Sequence, residues 1–159
     1  MFPKLTRLAL AMSLLVAQNN ALAEDFTFKN NVKTDSDTLV VFHGKNRATE
    51  SFNQFNAKTN GQLKKAILAS EFEGEYGKFV QILAPNNLGY QRILIVGIGE
   101  ESLSKNKATK LGGNISDKLE KEQITKVTVA ADGVGDNNAQ TSALIAHGIN
   151  LRAYRFEKY

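Results

Sequence analysis

Two glycines that follow an apolar run are the first candidates for binding chemistry in this sequence. Gly97 and Gly99 come directly after residues 92–96 (RILIV), a run typical of a strand buried on both faces. A strand followed by G-x-G can hold a phosphate, because the backbone approaches the anion and the next helix directs its amino end at it. Ser102 replaces the third glycine of that pattern. A sharp turn from strand to helix is therefore the favoured interpretation, and phosphate binding is the alternative.

A second candidate loop covers residues 132–138 (DGVGDNN) and contains Asp132, Gly133 and Gly135. Its alternating oxygen-bearing side chains suggest a calcium loop, but Asn137 replaces the glycine at position six and Ala143 replaces the glutamate at position twelve. A solvated turn is the favoured interpretation. Both loops follow predicted strands, so they are expected at the edge of the sheet where α/β proteins bind small molecules.

Side chains suited to metal or nucleophilic catalysis are scarce. The sequence has no cysteine and two histidines, His43 and His147, which are far apart in the chain. Neither histidine has a partner at a ligand spacing such as H-E-x-x-H, and no G-x-S-x-G or P-loop pattern is present. A structural or surface role is favoured for both histidines. We therefore predict no catalytic residue and no metal ligand.

The composition is that of an ordinary globular protein, with 159 residues, of which 42% are hydrophobic and 23% charged. The formal net charge of +4 is mild. Several lysines share one predicted helix, but Glu120 and Glu122 interrupt them and no aromatic residues interleave for base stacking. No nucleic-acid partner is expected.

Residues 1–23 have the three parts of an export signal. Lys4 and Arg7 supply the positive start, residues 8–17 the apolar stretch, and residues 21–23 (ALA) the small-residue cleavage site. The apolar stretch is about half of the roughly 20 residues that span a bilayer as a helix. We expect cleavage before Glu24, a mature domain of residues 24–159 that is periplasmic or secreted, and no stable membrane span after cleavage.

The remaining sequence alternates between strand and helix patterns. Predicted strands cover residues 26–32, 38–42, 78–84, 92–96 and 126–131, and the run at 92–96 is expected to be central. Predicted helices start near Thr49, with a break at Asn60-Gly61, near Ser104 and near Ala139. Gly112 and Gly113 should weaken the second of these by roughly 1 kcal/mol each. The last helix should turn the following residues toward the sheet: Leu144, Ile145, Gly148, Ile149 and Leu151.

This order of elements predicts an α/β domain of three layers with a mixed, mostly parallel sheet. Two segments also resemble a known family. Residues 148–159 (GINLRAYRFEKY) look like the helix that ends the N-terminal domain of the leucyl aminopeptidase (cytosol aminopeptidase) family, where Tyr-Arg-Phe and a basic segment lead into the catalytic domain. Residues 92–100 (RILIVGIGE) resemble that family's central strand and turn. The resemblance covers essentially residues 24–159 and implies a macro-like domain.

The family's chemistry belongs to its second domain, which binds two divalent metals such as zinc or manganese and carries an Asn-Thr-Asp-Ala-Glu-Gly-Arg signature. No position of this sequence matches that signature, so the resemblance transfers no catalytic or metal-binding residue. It implies a domain without catalysis of its own. Such a domain would either serve assembly and interaction of an exported protein or be the remnant of a truncated peptidase.

Two kinds of partner follow from the resemblance. Tyr154, Phe156 and Tyr159 would be covered by the next domain, so they are candidates for self-association or for binding a peptidase catalytic chain. The alternative is a macro-like module that binds ADP-ribose or another nucleotide at residues 97–100 and 132–138. The glycine run and the Asn-Ala-Ala-Asn segment of such binders are missing from the sequence.

Overall fold

The computed structural model describes residues 25–27 and 36–156. The predicted export signal, most of the first predicted strand and Tyr159 lie outside these residues. The strands are β1 (Asp25–Thr27), β2 (Thr38–Gly44), β3 (Arg47–Ala48), β4 (Phe79–Leu83), β5 (Arg92–Gly97) and β6 (Lys126–Ala130). The helices are α1 (Glu50–Lys58), α2 (Gln62–Ala69), α3 (Lys105–Lys121) and α4 (Asn138–Phe156).

The strands form one sheet in the order β1-β6-β2-β5-β4, and β3 pairs with the end of β2. β1, β6, β2 and β5 run parallel to one another, while β4 runs antiparallel to β5. The predicted mixed, mostly parallel sheet is therefore confirmed. The expectation that the run at 92–96 is central was wrong, because β2 occupies the middle and β5 lies beside it. Both strands are buried apolar runs, and burial on two faces is common to every interior strand of such a sheet.

One face of the sheet is covered by α1 and α2. Thr49 starts α1 because its side chain accepts a hydrogen bond from the N–H of Phe52, and the same hydroxyl donates to the carbonyl oxygen of Phe42. Asn60 and Gly61 have positive φ angles of 55° and 82°, which separates the two helices at the predicted break. The core of this layer includes the following buried residues: Leu39, Val41, Phe52, Leu63, Ile93 and Ile95.

The opposite face is covered by α3 and α4. Ser104 starts α3 as predicted, since its side chain accepts from the N–H of Lys107. The expectation that Leu151 faces the sheet was wrong, because 52% of this residue is exposed. Leu151 lies about 200° around the helix from the buried Ile149, since successive residues are about 100° apart. The core of this layer includes Val40, Phe42, Leu94, Val96, Leu111, Ile115, Ile145 and Ile149.

Glycine lets α3 and α4 approach closely. A Cβ placed on Gly148 would lie 1.9 Å from the carbonyl oxygen of Thr109, and one on Gly112 would lie 2.1 Å from that of Ile145. An ion pair between Asp117 and Arg152 joins the same two helices further along. The helix-weakening effect of Gly112 is therefore accompanied by a backbone contact that a larger residue would prevent.

We expect Gly113 of α3 and Gly148 of α4 to respond oppositely to replacement by alanine. Gly148→Ala should lower the free energy of unfolding by about 1–3 kcal/mol, because the overpacking exceeds the gain in helix propensity. Gly113→Ala should raise it by up to about 1 kcal/mol, because the nearest atom to a Cβ there is 4.0 Å away. Urea unfolding measures both, and stabilisation by Gly148→Ala would contradict this packing.

Candidate functional site

The carboxyl ends of β2, β5 and β6 meet at one edge of the sheet, so the two candidate loops lie close together. The N–H of Leu103 donates to the carbonyl oxygen of Val134 (3.0 Å), which joins the β5–α3 turn to the β6–α4 turn. The N–H of Lys45 donates to the carbonyl oxygen of Gly99 (2.9 Å), which joins the β2–β3 hairpin to the same place. This edge is where a doubly wound sheet has room for a ligand.

The backbone amides of the Gly97 turn are already bonded within the chain. The N–H groups of Gly97, Ile98 and Gly99 donate to the carbonyl oxygens of Lys78, His43 and Gly74, at 2.9, 3.1 and 2.8 Å. A phosphate-binding turn uses such amides for its ligand. In this conformation the N–H groups of Gly97, Ile98 and Gly99 are therefore not available to a ligand.

A segment of residues 71–77, which we name the crossing segment, explains the glycines instead. It passes over the ends of β2 and β5, and a Cβ placed on Gly97 would lie 1.9 Å from the carbonyl oxygen of Glu75. Gly74 has a φ of +85°, and a Cβ there would lie 2.6 Å from the carbonyl carbon of Gly44. The glycines thus allow backbone to pack on backbone, which agrees with the structural interpretation of this turn.

The Asp132 loop is held mainly by its own bonds and by α1. Asp132 accepts the N–H of Ser51 on one carboxylate oxygen (3.0 Å), at the positive amino end of α1. The N–H of Gly133, which has a φ of +62°, donates to the side chain of Asn138 (3.0 Å). A Cβ placed on Gly135 would lie 2.2 Å from the hydroxyl of Thr141. Within residues 25–27 and 36–156, no group of three or more His, Cys, Asp or Glu side chains is placed to hold a metal ion.

Sequence reasoning missed Arg47, the first residue of β3. Its Nε and Nη2 atoms are buried and have no hydrogen-bond partner among the residues that the structure describes. Arg47 pairs with Gly44 in the hairpin, and a Cβ placed on Gly44 would lie 3.3 Å from the Ile98 side chain. The Nε and Nη2 atoms form one side of the guanidinium fork, which binds carboxylates or phosphates with two parallel hydrogen bonds. No sequence signal could have identified it, because a single arginine beside a turn is typical of a protein surface.

Two charged residues in the loops at this edge of the sheet, Lys45 and Glu100, are exposed. Lys45 and Glu100 form an ion pair of 2.7 Å. The hydrogen bond from Lys45 lowers the pKa of the Glu100 carboxyl, and the same bond raises the pKa of Lys45. Exposed pairs of this kind contribute little to stability.

The two histidines occupy separate places and do not form a pair. The His43 ring lies edge-on to the Phe52 ring, with 4.6 Å between the ring centroids, and 6.3 Å from the Phe72 ring. Burial lowers the pKa of His43, so its ring is neutral at neutral pH. His147 is exposed on α4. The His43 side chain therefore packs among aromatic rings.

The end of α4 carries the predicted interaction residues. Tyr154 is 69% exposed, and Leu151, one turn earlier, is 52% exposed. Phe156 is the last residue of α4, but its side chain and Tyr159 lie outside the described residues. Across the described part of the chain, no helix has both the length and the apolar character needed to cross a membrane.

Comparison with solved structures identifies proteins of similar fold. The chain superposes on a tomato leucine aminopeptidase mutant with a TM-score of 0.64 and 20% identity, over 80% of this chain and 27% of that one. It also superposes on the macrodomain of Mycobacterium tuberculosis DarG with a TM-score of 0.62 and 13% identity, over 80% of this chain and 91% of that one. At these identities the likeness shows the fold alone, and it confirms the macro-like architecture.

Comparison with known sequences finds relatives at higher identity than the solved structures above. A probable cytosol aminopeptidase 1 from Shewanella oneidensis is 38% identical over 142 residues, which are 88% of this chain and 28% of the relative. A probable cytosol aminopeptidase from Rhodopseudomonas palustris is 34% identical over 127 residues, which are 77% of this chain and 25% of the relative. The chain thus spans about a quarter of the length of these curated relatives. The sequence model described as "Cytosol aminopeptidase family, N-terminal domain" matches residues 39–159. The chain therefore belongs to the cytosol aminopeptidase family and corresponds to its N-terminal domain.

Proposed function

We propose that this chain is a non-catalytic assembly domain that docks onto a peptidase catalytic chain through the end of α4. The observation that carries the proposal is the exposed pair Leu151 and Tyr154, near the carboxyl end of the segment that matches the family's N-terminal domain. Residues three apart on a helix share a face, so the two side chains form one apolar surface. We name this pair the α4 patch.

The α4 patch is held on a fixed support. Ile149, on the opposite side of the helix from Leu151, is buried, and Gly148, one turn before Leu151, packs directly on the backbone of α3. Arg152, the residue after Leu151, also pairs with Asp117 of α3. A partner that binds here would therefore meet a surface that is already ordered, and less conformational entropy would be lost on binding.

Hydrolysis would depend on that partner. A peptidase that activates water with metals needs several converging ligands in a dry cleft. The described residues contain no such group of ligands. In this proposal the partner binds the two divalent metals, zinc or manganese, and this chain contributes to assembly of the complex.

The domain is proposed to act outside the cytoplasm, either in the periplasm or as a secreted protein. The support is the three-part signal pattern of residues 1–23, which the sequence alone provides. Mass spectrometry of the chain from its native compartment should find an amino terminus at Glu24, and an intact Met1 terminus there would refute export by cleavage.

A nucleotide-binding module is the second candidate function. The observation that favours it is the buried side of the Arg47 guanidinium, which has no hydrogen-bond partner in the described part of the chain. A buried cation without a partner is costly, and an anionic ligand would satisfy it. With the amides of Gly97 and Gly99 occupied, Arg47 and the Asp132 loop would have to provide the contacts.

Docking through the α4 patch is tested by co-expressing this chain with the catalytic part of the Shewanella relative. We expect the two to co-purify and to hydrolyse Leu-p-nitroanilide with added manganese. Leu151→Lys and Tyr154→Lys should weaken co-purification at least about tenfold, because each places a charge in an apolar contact. Leu68→Lys is the matched control, since Leu68 is 78% exposed on α2, away from α4.

The relative's own N-terminal domain, supplied as a separate chain, shows that the catalytic part is competent. If that domain co-purifies and this chain does not, or if Leu68→Lys has the same effect as Leu151→Lys, the docking proposal is refuted.

Nucleotide binding is tested by titration calorimetry with ADP-ribose. The second candidate predicts binding that Arg47→Gln weakens at least about tenfold, because the paired hydrogen bonds of the guanidinium fork are lost. Lys45→Gln removes the same charge from an exposed neighbour and should leave the affinity within about twofold. Absence of any heat with ADP-ribose would eliminate this candidate.

A further inference from the structure

β4 leaves one edge of the sheet open. Within the described part of the chain it pairs with β5 alone and is the last strand of the sheet. The N–H of Ala84 donates to the carbonyl oxygen of Gln91, and the N–H of Gly97 donates to that of Lys78. Because bonding directions alternate along an antiparallel pair, Val80 and Ile82 bond to β5, while Phe79, Gln81 and Leu83 direct their N–H and C=O groups outward.

The β4 edge also lacks the features that prevent edge strands from pairing. Natural sheets protect their edges with charged residues, prolines or bulges within the strand. All five residues of β4 (FVQIL) are uncharged, and none is proline. At its end, Leu83 is 65% exposed. This strand is therefore ready to accept another strand of similar character.

We propose that β4 pairs antiparallel with β4 of a second copy of this chain, with Gln81 opposite Gln81. The proposal rests on the assembly role proposed above and names a surface for self-association that is distinct from the α4 patch. A two-fold axis through Gln81 brings all three outward-facing residues of each copy into register, because Phe79 then lies opposite Leu83 of the other copy.

Side-chain chemistry agrees with this register. Phe79 is half-buried and would lie beside the exposed Leu83 of the partner copy, an aromatic and aliphatic pair that stabilises neighbouring strands. Lys78, the charged residue next to β4, would face Ala84 instead of another lysine. Like charges directly opposite each other would oppose pairing.

The cations beside the strand are also compensated within each copy. Arg92, opposite Leu83 in β5, contacts Glu122 at 3.4 Å, and Lys118 contacts the same carboxylate at 2.8 Å. The approach of two copies therefore does not bring these two cations together without a counter-charge.

The length of the strand sets the strength of the association. A pairing of five residues per copy forms a smaller interface than that of a stable dimer. Stable dimers bury roughly 1,200–2,000 Å² of surface in total. We therefore expect a weak dimer whose population depends on concentration. Linkage to a second interface, such as the α4 patch, would strengthen it through effective concentration.

Sedimentation velocity of the full chain over a range of micromolar to millimolar concentrations tests the edge pairing. The wild type should show a monomer–dimer equilibrium, and Leu83→Lys should raise its dissociation constant at least about tenfold, because a charge replaces an apolar contact. Leu68→Lys makes the same change at another exposed leucine and should leave the constant within about twofold. A wild type that stays monomeric throughout this range would overturn the proposal.

The register has its own test. Gln81→Lys and Gln81→Glu should each weaken self-association, because identical charges then meet at the axis, and an equal mixture of the two should restore dimers. Failure of the mixture to associate would overturn pairing centred on Gln81. Association that Leu151→Lys abolishes and Leu83→Lys leaves unchanged would also overturn it, while leaving the proposed role of the α4 patch intact.

Discussion

Direct packing of backbone on backbone is the constraint on which this structure depends. It occurs where the crossing segment passes over the ends of β2 and β5, with Gly97 against Glu75 and Gly74 against Gly44. It occurs again between α3 and α4, where Gly148 meets Thr109. At each contact a Cβ would lie within 2.6 Å of a backbone atom, so glycine alone fits without movement. The first contact lies at the carboxyl edge of the sheet, and the second joins α4 to α3.

These contacts help to distinguish the two functions proposed for this fold, assembly and nucleotide binding. A turn whose amides already donate to the carbonyl oxygens of Lys78, His43 and Gly74 has fewer donors for a phosphate, and its glycines are explained by packing against the crossing segment. Among the described residues, the side of the Arg47 guanidinium that has no hydrogen-bond partner is a feature of that edge that favours an anion. On the opposite helical layer, α4 packs closely on α3 at Gly148, one turn before the exposed Leu151 and two turns before the exposed Tyr154. Assembly is therefore the better supported proposal for a domain of this family.

Much of the fold could be predicted from the sequence because the relevant signals are local. Thr49 and Ser104 start their helices through a bond to an amide three residues later, and the Asn60-Gly61 break follows from positive φ angles. The exposure of Tyr154 followed from the family resemblance, which the family match confirms. Contacts between distant segments could not be predicted. Nothing near Gly97 indicates that Glu75 will lie against it, and the order of two equally apolar strands depends on their connections. Leu151 was misplaced because its spacing from Leu144 fits a helical face whose centre lies elsewhere, at Ile145 and Ile149.

The proposal on which most of this account depends is that the chain is an assembly domain without catalysis of its own. The direct measurement is hydrolysis of Leu-p-nitroanilide by the purified chain alone, with manganese or zinc added and with a chelator as control. The account predicts no turnover above the chelated sample from a protein that is folded by circular dichroism. Robust hydrolysis that the chelator abolishes would contradict it, because carboxylates of this chain would then have to form a metal site.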